Sequence, residues 1–148
     1  MKIYQVKDKK KYIPLLLLAD EQESMIEKYV QDSVMYVLDD GGIKGEITVL
    51  KISDDILEIK NLAVYPQFQR KGYGKALIDF VCNKFKDTYS ILQVGTGDSP
   101  LTIPFYEKCG FVKSHTVKNF FVDNYDHPII ENGVILVDMI YLKKSLYI

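Results

Sequence analysis

The chain has 148 residues, 47% of them hydrophobic and 26% charged, with a formal net charge of −1. That length sets one domain, residues 1–148, as the expectation, and the composition excludes a disordered chain. A charge so close to zero gives no global field for nucleic acid or anionic lipid, and no apolar run approaches the roughly 20 residues of a membrane span.

From the N-terminus, Lys2–Val6 alternates like a short strand, and the stretch from about Asp8 to Gln31 reads as one or two helices. Met25, Ile26, Tyr29 and Val30 make its apolar stripe. The run Ile13–Ala19 is broken by Pro14 and followed by Asp20-Glu21, which fits neither a membrane anchor nor a signal peptide. Val34–Leu38, then Asp39-Asp40-Gly41-Gly42, then Ile43 onward is a hairpin pattern, with the glycines supplying positive φ. A turn at Ser53-Asp54-Asp55 leads into a strand over 56–65, completing an antiparallel meander. Leu77, Phe80, Val81 and Phe85 then fall at helical spacing, which predicts a helix over 74–86. A strand over 89–96 follows, so strand–helix–strand implies a parallel pair with a crossover. Ser99-Pro100 reads as a helix start and Cys109-Gly110 as its end. Residues 111–117 and 134–142 read as two last strands, separated by a polar and aromatic excursion over 118–133. The fold class is mixed α/β, with antiparallel strands first and a parallel crossover later.

Chemistry concentrates at Gln69-Arg70-Lys71-Gly72-Tyr73-Gly74, where a strand ends at Pro66 and a helix begins. Helix N-termini present unpaired N–H groups and the positive end of the dipole, so an anion is well held there. Gly72 and Gly74 admit close backbone approach, and Arg70, Lys71 and Lys75 add local positive charge. Taken alone, the Gly-x-Gly pair fits an ordinary strand–loop–helix connection equally well. A P-loop is excluded because no GxxxxGK[ST] string exists. A dinucleotide-binding turn is excluded because Leu77 stands where its third glycine belongs.

Gln69, Gly72 and Gly74 fill the Q/R-x-x-G-x-G/A pattern, Leu62-Ala63-Val64-Tyr65-Pro66 precedes it, and Phe105-Tyr106-Glu107-Lys108-Cys109-Gly110-Phe111 follows. The segment from about Glu58 to Phe111 thereby resembles the GNAT superfamily of acetyl-CoA-dependent N-acetyltransferases. The resemblance implies an α+β fold with a mixed sheet of about six or seven strands, a splayed parallel pair in its middle and about four helices. It implies acetyl-CoA as cosubstrate, with Leu62, Ala63 and Val64 pairing to the pantetheine arm. Gln69, Arg70, Lys71, Gly72, Tyr73, Gly74 and Lys75 would hold the pyrophosphate. Tyr106 matches the family's general acid, a phenol with pKa near ~10 that is protonated at neutral pH. Its alternative is a core tyrosine.

Glu58 stands where several relatives carry a catalytic base. Alternation puts it on one strand face with Lys60, Leu62 and Val64. A solvated glutamate paired to a lysine is the alternative, and many relatives use a water chain. Ser99 and Thr102 replace the family's usual Asn and Ala; Ser99 either bonds the pantetheine arm or only caps the helix. The expected reaction is direct acetyl transfer to a primary amine, most simply of a small molecule. A protein or peptide N-acetyltransferase and a non-catalytic acyl-CoA sensor are the rival readings.

Asp123, Asn124, Tyr125, Asp126 and His127 crowd the 118–133 excursion, a loop suited to binding the amine, to a homodimer contact or simply to solvent. His115 and His127 read as structural or exposed. Cys82 and Cys109 form no CxxC, so neither a metal site nor a disulfide is expected. A bacterial-type cytoplasmic enzyme without metal, nucleic-acid or membrane partner is the sum of these expectations.

Overall fold

In a computed structural model describing residues 1–147, alternating runs and turn residues build one mixed seven-stranded sheet. Its strands are β1 Lys2–Val6, β2 Val34–Asp39, β3 Ile43–Lys51, β4 Ile56–Val64, β5 Ile91–Gly97, β6 Val112–Val117 and β9 Met139–Ser145. Two short strands, β7 Ile130–Glu131 and β8 Val134–Ile135, make a separate hairpin. The sheet order is β1-β2-β3-β4-β5-β9-β6. Only β4 and β5 are parallel; every other neighbouring pair is antiparallel, as the meander and the crossover require.

Five α-helices accompany the sheet among the described residues: α1 Ile13–Leu16, α2 Glu23–Glu27, α3 Tyr73–Phe85, α4 Thr102–Lys108 and α5 Phe120–Asn124. Of the one or two helices expected across 8–31, the structure forms two short ones, preceded by a 3-10 turn at Lys9–Tyr12. On one sheet face, α3 and α4 deliver Leu77, Ile78, Val81, Ile103, Tyr106 and Cys109 onto Ile47, Val49, Leu57, Ile59, Leu92 and Val94. On the other face, Leu16, Ile26, Tyr29 and Val30 cover Met35 and Leu50. No helix of the described residues is long and apolar enough to cross a membrane.

Two expected boundaries move. Helix α4 starts at Thr102 with Leu101 as its N-cap, so Ser99 does not cap it. The expected strand over 134–142 divides: Val134–Ile135 pairs with β7 in the separate hairpin, and the strand of the main sheet begins only at Met139. Gly110, at φ +95°, ends the α4 segment as the sequence suggests.

Candidate active site

The site is organised by the place where β4 and β5 part. Their parallel pairing runs from Ile56↔Ile91 to Ile59↔Val94 and stops, although β4 continues to Val64 and β5 to Gly97. Beyond Ile59, the β4 edge that faced β5 has no strand partner among the described residues. On its other edge β4 remains paired with β3, but the register slips by one residue at Lys60: Thr48 opposes Asn61 while Val49 opposes Ile59. A one-residue bulge puts Lys60 and Asn61 on the same face. Simple alternation across 58–64 therefore fails. Glu58, Lys60 and Asn61 face the α1–α2 side, whereas Leu62 packs with the core under α3.

At the end of β4 the chain makes a 3-10 turn, Pro66–Phe68, and enters the glycine turn. Arg70 (φ +64°) and Gly72 (φ +85°) are both left-handed, and Gly72 is the N-cap of α3 with no side-chain cap. Within the described residues the backbone N–H groups from Arg70 to Lys75 donate to no backbone acceptor; the first to do so is Ala76, to Gly72. A run of free N–H groups at a 13-residue helix start is a concave donor site for an anion. Gly74 has a different reason to be small: a Cβ there would lie 3.1 Å from Phe105 Cζ, so it lets α3 approach α4. The Gln69 side chain turns back and donates from Nε2 to the Val64 carbonyl at 3.1 Å, fastening the turn to the strand end. Tyr73 donates its hydroxyl to Asp40 at 2.7 Å, and Lys75 pairs with Asp79 at 2.7 Å on the exposed helix face.

A cleft of about 310 Å³ opens on the α1–α2 side of the fork, lined by Glu58, Lys60, Asp20, Lys28, Tyr29, Phe120, Tyr125 and Tyr141 among others. Glu58 is buried. One carboxylate oxygen accepts from Gln93 Nε2 at 2.6 Å, and the other meets Lys60 Nζ at 2.7 Å. These two contacts fix the carboxylate from β5 on one side and from its own strand on the other. Asn61 donates to the Leu16 carbonyl at 3.0 Å and to the Tyr29 hydroxyl at 3.1 Å, so the bulge also ties α1 and Tyr29 to β4. Tyr29 in turn donates to Asp20 at 3.2 Å. Tyr125, from the 118–133 excursion, donates to the other Asp20 oxygen at 2.7 Å, and the Asp126 amide donates to Gln22 at 3.1 Å. Burial pushes the Tyr29 and Tyr125 hydroxyls well above the usual tyrosine range, and pushes Tyr141 up to about 12.

Tyr106 lies across the sheet from this cleft, on α4 and inside the α3-side core, stacked edge-on against Phe105 and Phe111. Burial first, and then Cys109, Glu46 and Glu131, push its hydroxyl up, so it stays protonated across the physiological range. Ser99 is 2% exposed and already engaged: its Oγ accepts from the Leu101 amide at 3.4 Å and from Asn132 Nδ2 at 3.3 Å. Thr102 opens α4, half-buried.

Residues 31–113 match the family described as "Acetyltransferase (GNAT) domain". The chain belongs to the GNAT acetyltransferase family. It is an acyl-CoA-dependent N-acetyltransferase of that family. It is 34% identical over 135 residues to the uncharacterized N-acetyltransferase YvbK of Bacillus subtilis (strain 168), covering 89% of this chain and 87% of that protein. A GNAT family acetyltransferase from Elizabethkingia anophelis, solved with acetyl-CoA bound, superposes with a TM-score of 0.90 at 35% identity, covering 97% of each chain. An IAA acetyltransferase from Bacillus cereus ATCC 14579 gives 0.89 at 38% identity, covering 97% of this chain and 98% of that one.

Glu58, the β4 edge over 62–64 and the turn over 69–75 follow one another along β4 and out of its end, whereas Tyr106 and Thr102 stand on α4, Tyr106 within the α3-side core. The sequence reading missed Asp20, Tyr29, Asn61, Gln93 and Tyr141. It also missed Glu46, a fully buried carboxyl on β3 that accepts from Thr48 at 2.7 Å and leaves its second oxygen without a partner among the described residues. A glutamate between Gly45 and the run Ile47-Thr48-Val49-Leu50 was the available signal.

Proposed function

We propose that the chain transfers an acetyl group from acetyl-CoA directly to a primary amine of a small molecule, with Glu58 as base and Tyr106 as acid. The observation that carries this reading is the Glu58 carboxylate. It is buried and held by Gln93 and Lys60, and it lines a cleft of about 310 Å³ beside the fork in the sheet. The residues present fit the donor: free N–H groups at 70–75 suit a pyrophosphate, and the unpaired β4 edge over 62–64 suits an amide-bearing arm. The Elizabethkingia relative's bound acetyl-CoA supports the same donor here.

Acceptor and donor would meet at the fork from opposite faces of the sheet. An alkylamine with pKa near ~10 arrives mostly protonated at neutral pH, and Glu58 receives that proton. The free amine attacks the thioester carbonyl, the C–N bond forms and the C–S bond breaks; Tyr106 gives its proton to the departing thiolate and is reprotonated by the second proton that the nitrogen sheds as the amide forms. Holding both reactants in one cleft supplies much of the acceleration. A small acceptor is favoured because the Tyr125–Asp20 and Asp126–Gln22 contacts bring the excursion against the α1–α2 connection at the cleft. The test is thiol release from acetyl-CoA against a panel of amines, peptides and aminated antibiotics. Release with small amines is expected; release with peptides alone, or CoA binding without any release, would overturn the reading.

A further inference from the structure

Asp20 sits on the connection between α1 and α2 and lines the same cleft as Glu58. Its two oxygens accept from Tyr29 at 3.2 Å and Tyr125 at 2.7 Å. Among the described residues no lysine, arginine or histidine lies within salt-bridge distance of it. Of the two lysines that line the cleft, Lys60 is committed to Glu58 at 2.7 Å and Lys28 is exposed to solvent. Asp20 is therefore a half-buried carboxylate, oriented by two phenols and without an ion pair of its own; Lys60, whose Nζ lies 5.5 Å from the Tyr29 ring centroid, acts on it only through longer-range attraction. Burial outweighs those two hydrogen bonds and pushes its carboxyl up, so its charge is undercompensated.

The surrounding wall is aromatic. Tyr29, Phe120, Tyr125 and Tyr141 line the cleft, with Phe120 and Tyr125 centroids 6.4 Å apart. An aromatic wall beside a carboxylate suits an organic cation, because ring faces are electronegative and the carboxylate supplies full charge. If Asp20 served only to tie Tyr29 to Tyr125, a neutral side-chain amide would do so at lower desolvation cost.

We propose that Asp20, with the rings of Tyr29, Phe120 and Tyr125, binds a second, non-reacting cationic group of the acceptor, so that the amine acetylated belongs to a diamine-like molecule. This inference rests on the cleft being the acceptor site. One amine lies at Glu58 and is acetylated; the other remains an ammonium at Asp20. Pentylamine fills the same chain length without the second charge, and cadaverine supplies it.

The experiment compares the two with acetyl-CoA in the full chain. kcat/KM for cadaverine is expected to exceed that for pentylamine by at least about tenfold, as a charge-assisted hydrogen bond implies. Asp20→Asn should bring the ratio close to one, Asp20→Glu should retain part of it, and Tyr125→Phe should lower it severalfold. Calorimetry of cadaverine binding to the CoA-saturated protein separates the two levels of the argument. Asp20-dependent binding without thiol release would sink the transferase reading and leave the cation site standing. Thiol release with equal efficiency for both amines, or a cadaverine preference that survives Asp20→Asn, would overturn the cation site alone. Absence of both binding and preference would overturn it as well.

Discussion

Replacing Glu58 by glutamine separates a base from a structural carboxylate, because the change keeps shape while removing charge. The Glu58 side chain is 6% exposed and its partner Lys60 is 26% exposed. Breaking a fully buried pair costs several kcal/mol, and the partial exposure of Lys60 reduces that to about 1–3 kcal/mol. A loss of that size lowers Tm by about 3–10 °C, which leaves the variant folded at room temperature. The kinetic effect is larger and depends on pH. If Glu58 takes the proton of the bound ammonium, Glu58→Gln lowers kcat/KM by about 10²–10³ at pH 7, the range of general base catalysis. The variant must then rely on free amine, so its rate climbs roughly tenfold per pH unit toward the amine pKa near ~10.4 and converges on the parent. The assay is thiol release at about pH 6–10 with the best amine of the panel, at a temperature where both proteins are folded. Parallel profiles, with the same deficit at every pH, would show that Glu58 only positions its neighbours and that another route carries the proton.

Other outcomes follow from the same geometry. Tyr106→Phe should lower kcat by about 10²-fold while CoA affinity stays within about twofold, and comparable losses in both would mark Tyr106 as a packing residue. Because burial raises the Tyr106 hydroxyl, the parent should also show no loss of kcat from tyrosine deprotonation below its ordinary value of 10.0. Glu46 has its carboxyl raised well above 4.5 by burial, so the stability it contributes is present below 4.5 and is lost as pH rises through the folded value. Glu46→Gln should therefore gain in Tm relative to the parent between pH 5 and pH 8, and a difference that stays flat or reverses would contradict a buried, undercompensated carboxyl. At Gly45 a Cβ would lie 2.7 Å from the Ala63 carbonyl, which is backbone and cannot swing away. Gly45→Ala should cost about 1–3 kcal/mol in denaturant unfolding, and an unchanged midpoint would show that β3 and β4 separate freely.

The parts legible in the sequence are those with short-range causes. Glycine-punctuated hairpins, the helical spacing of Leu77, Phe80, Val81 and Phe85, and the strand–turn–helix at Gly72 each depend on residues a few positions apart. The Lys60 bulge left one local trace, two polar residues in succession at Lys60-Asn61, but the slip itself is defined only by the register with β3, and simple alternation carried through 58–64 runs past it. The Asp20–Tyr125 contact joins residues 105 apart, and no local period reports such a pairing. Ser99 misled for a local reason. Ser followed by Pro is a common helix start, but here the serine is turned inward to Leu101 and Asn132, and the helix begins at Thr102.

The two irregularities of β4 fall at one place, and together they explain why the site is there. On the β5 side, pairing ends at Ile59; on the β3 side, the extra residue is Lys60. A strand that merely diverged would leave a row of unpaired backbone groups, a liability in any sheet. Here that row, over 62–64 with the Val64 carbonyl already taken by Gln69, is the edge proposed to receive the pantetheine arm, so the donor would complete the pairing that β5 abandons. The bulge does the complementary work on the other face. Lys60 shares the Glu58 face by alternation; the bulge adds Asn61 to that face, which gives Tyr29 an anchor, and Tyr29 holds Asp20. Without the extra residue, Asn61 would point into the α3-side core, Tyr29 would lose its buried partner, and the carboxylate at the α1–α2 connection would lose one of the two hydroxyls that orient it. The backbone fault thus couples the proposed donor edge on one side of β4 to the proposed acceptor wall on the other.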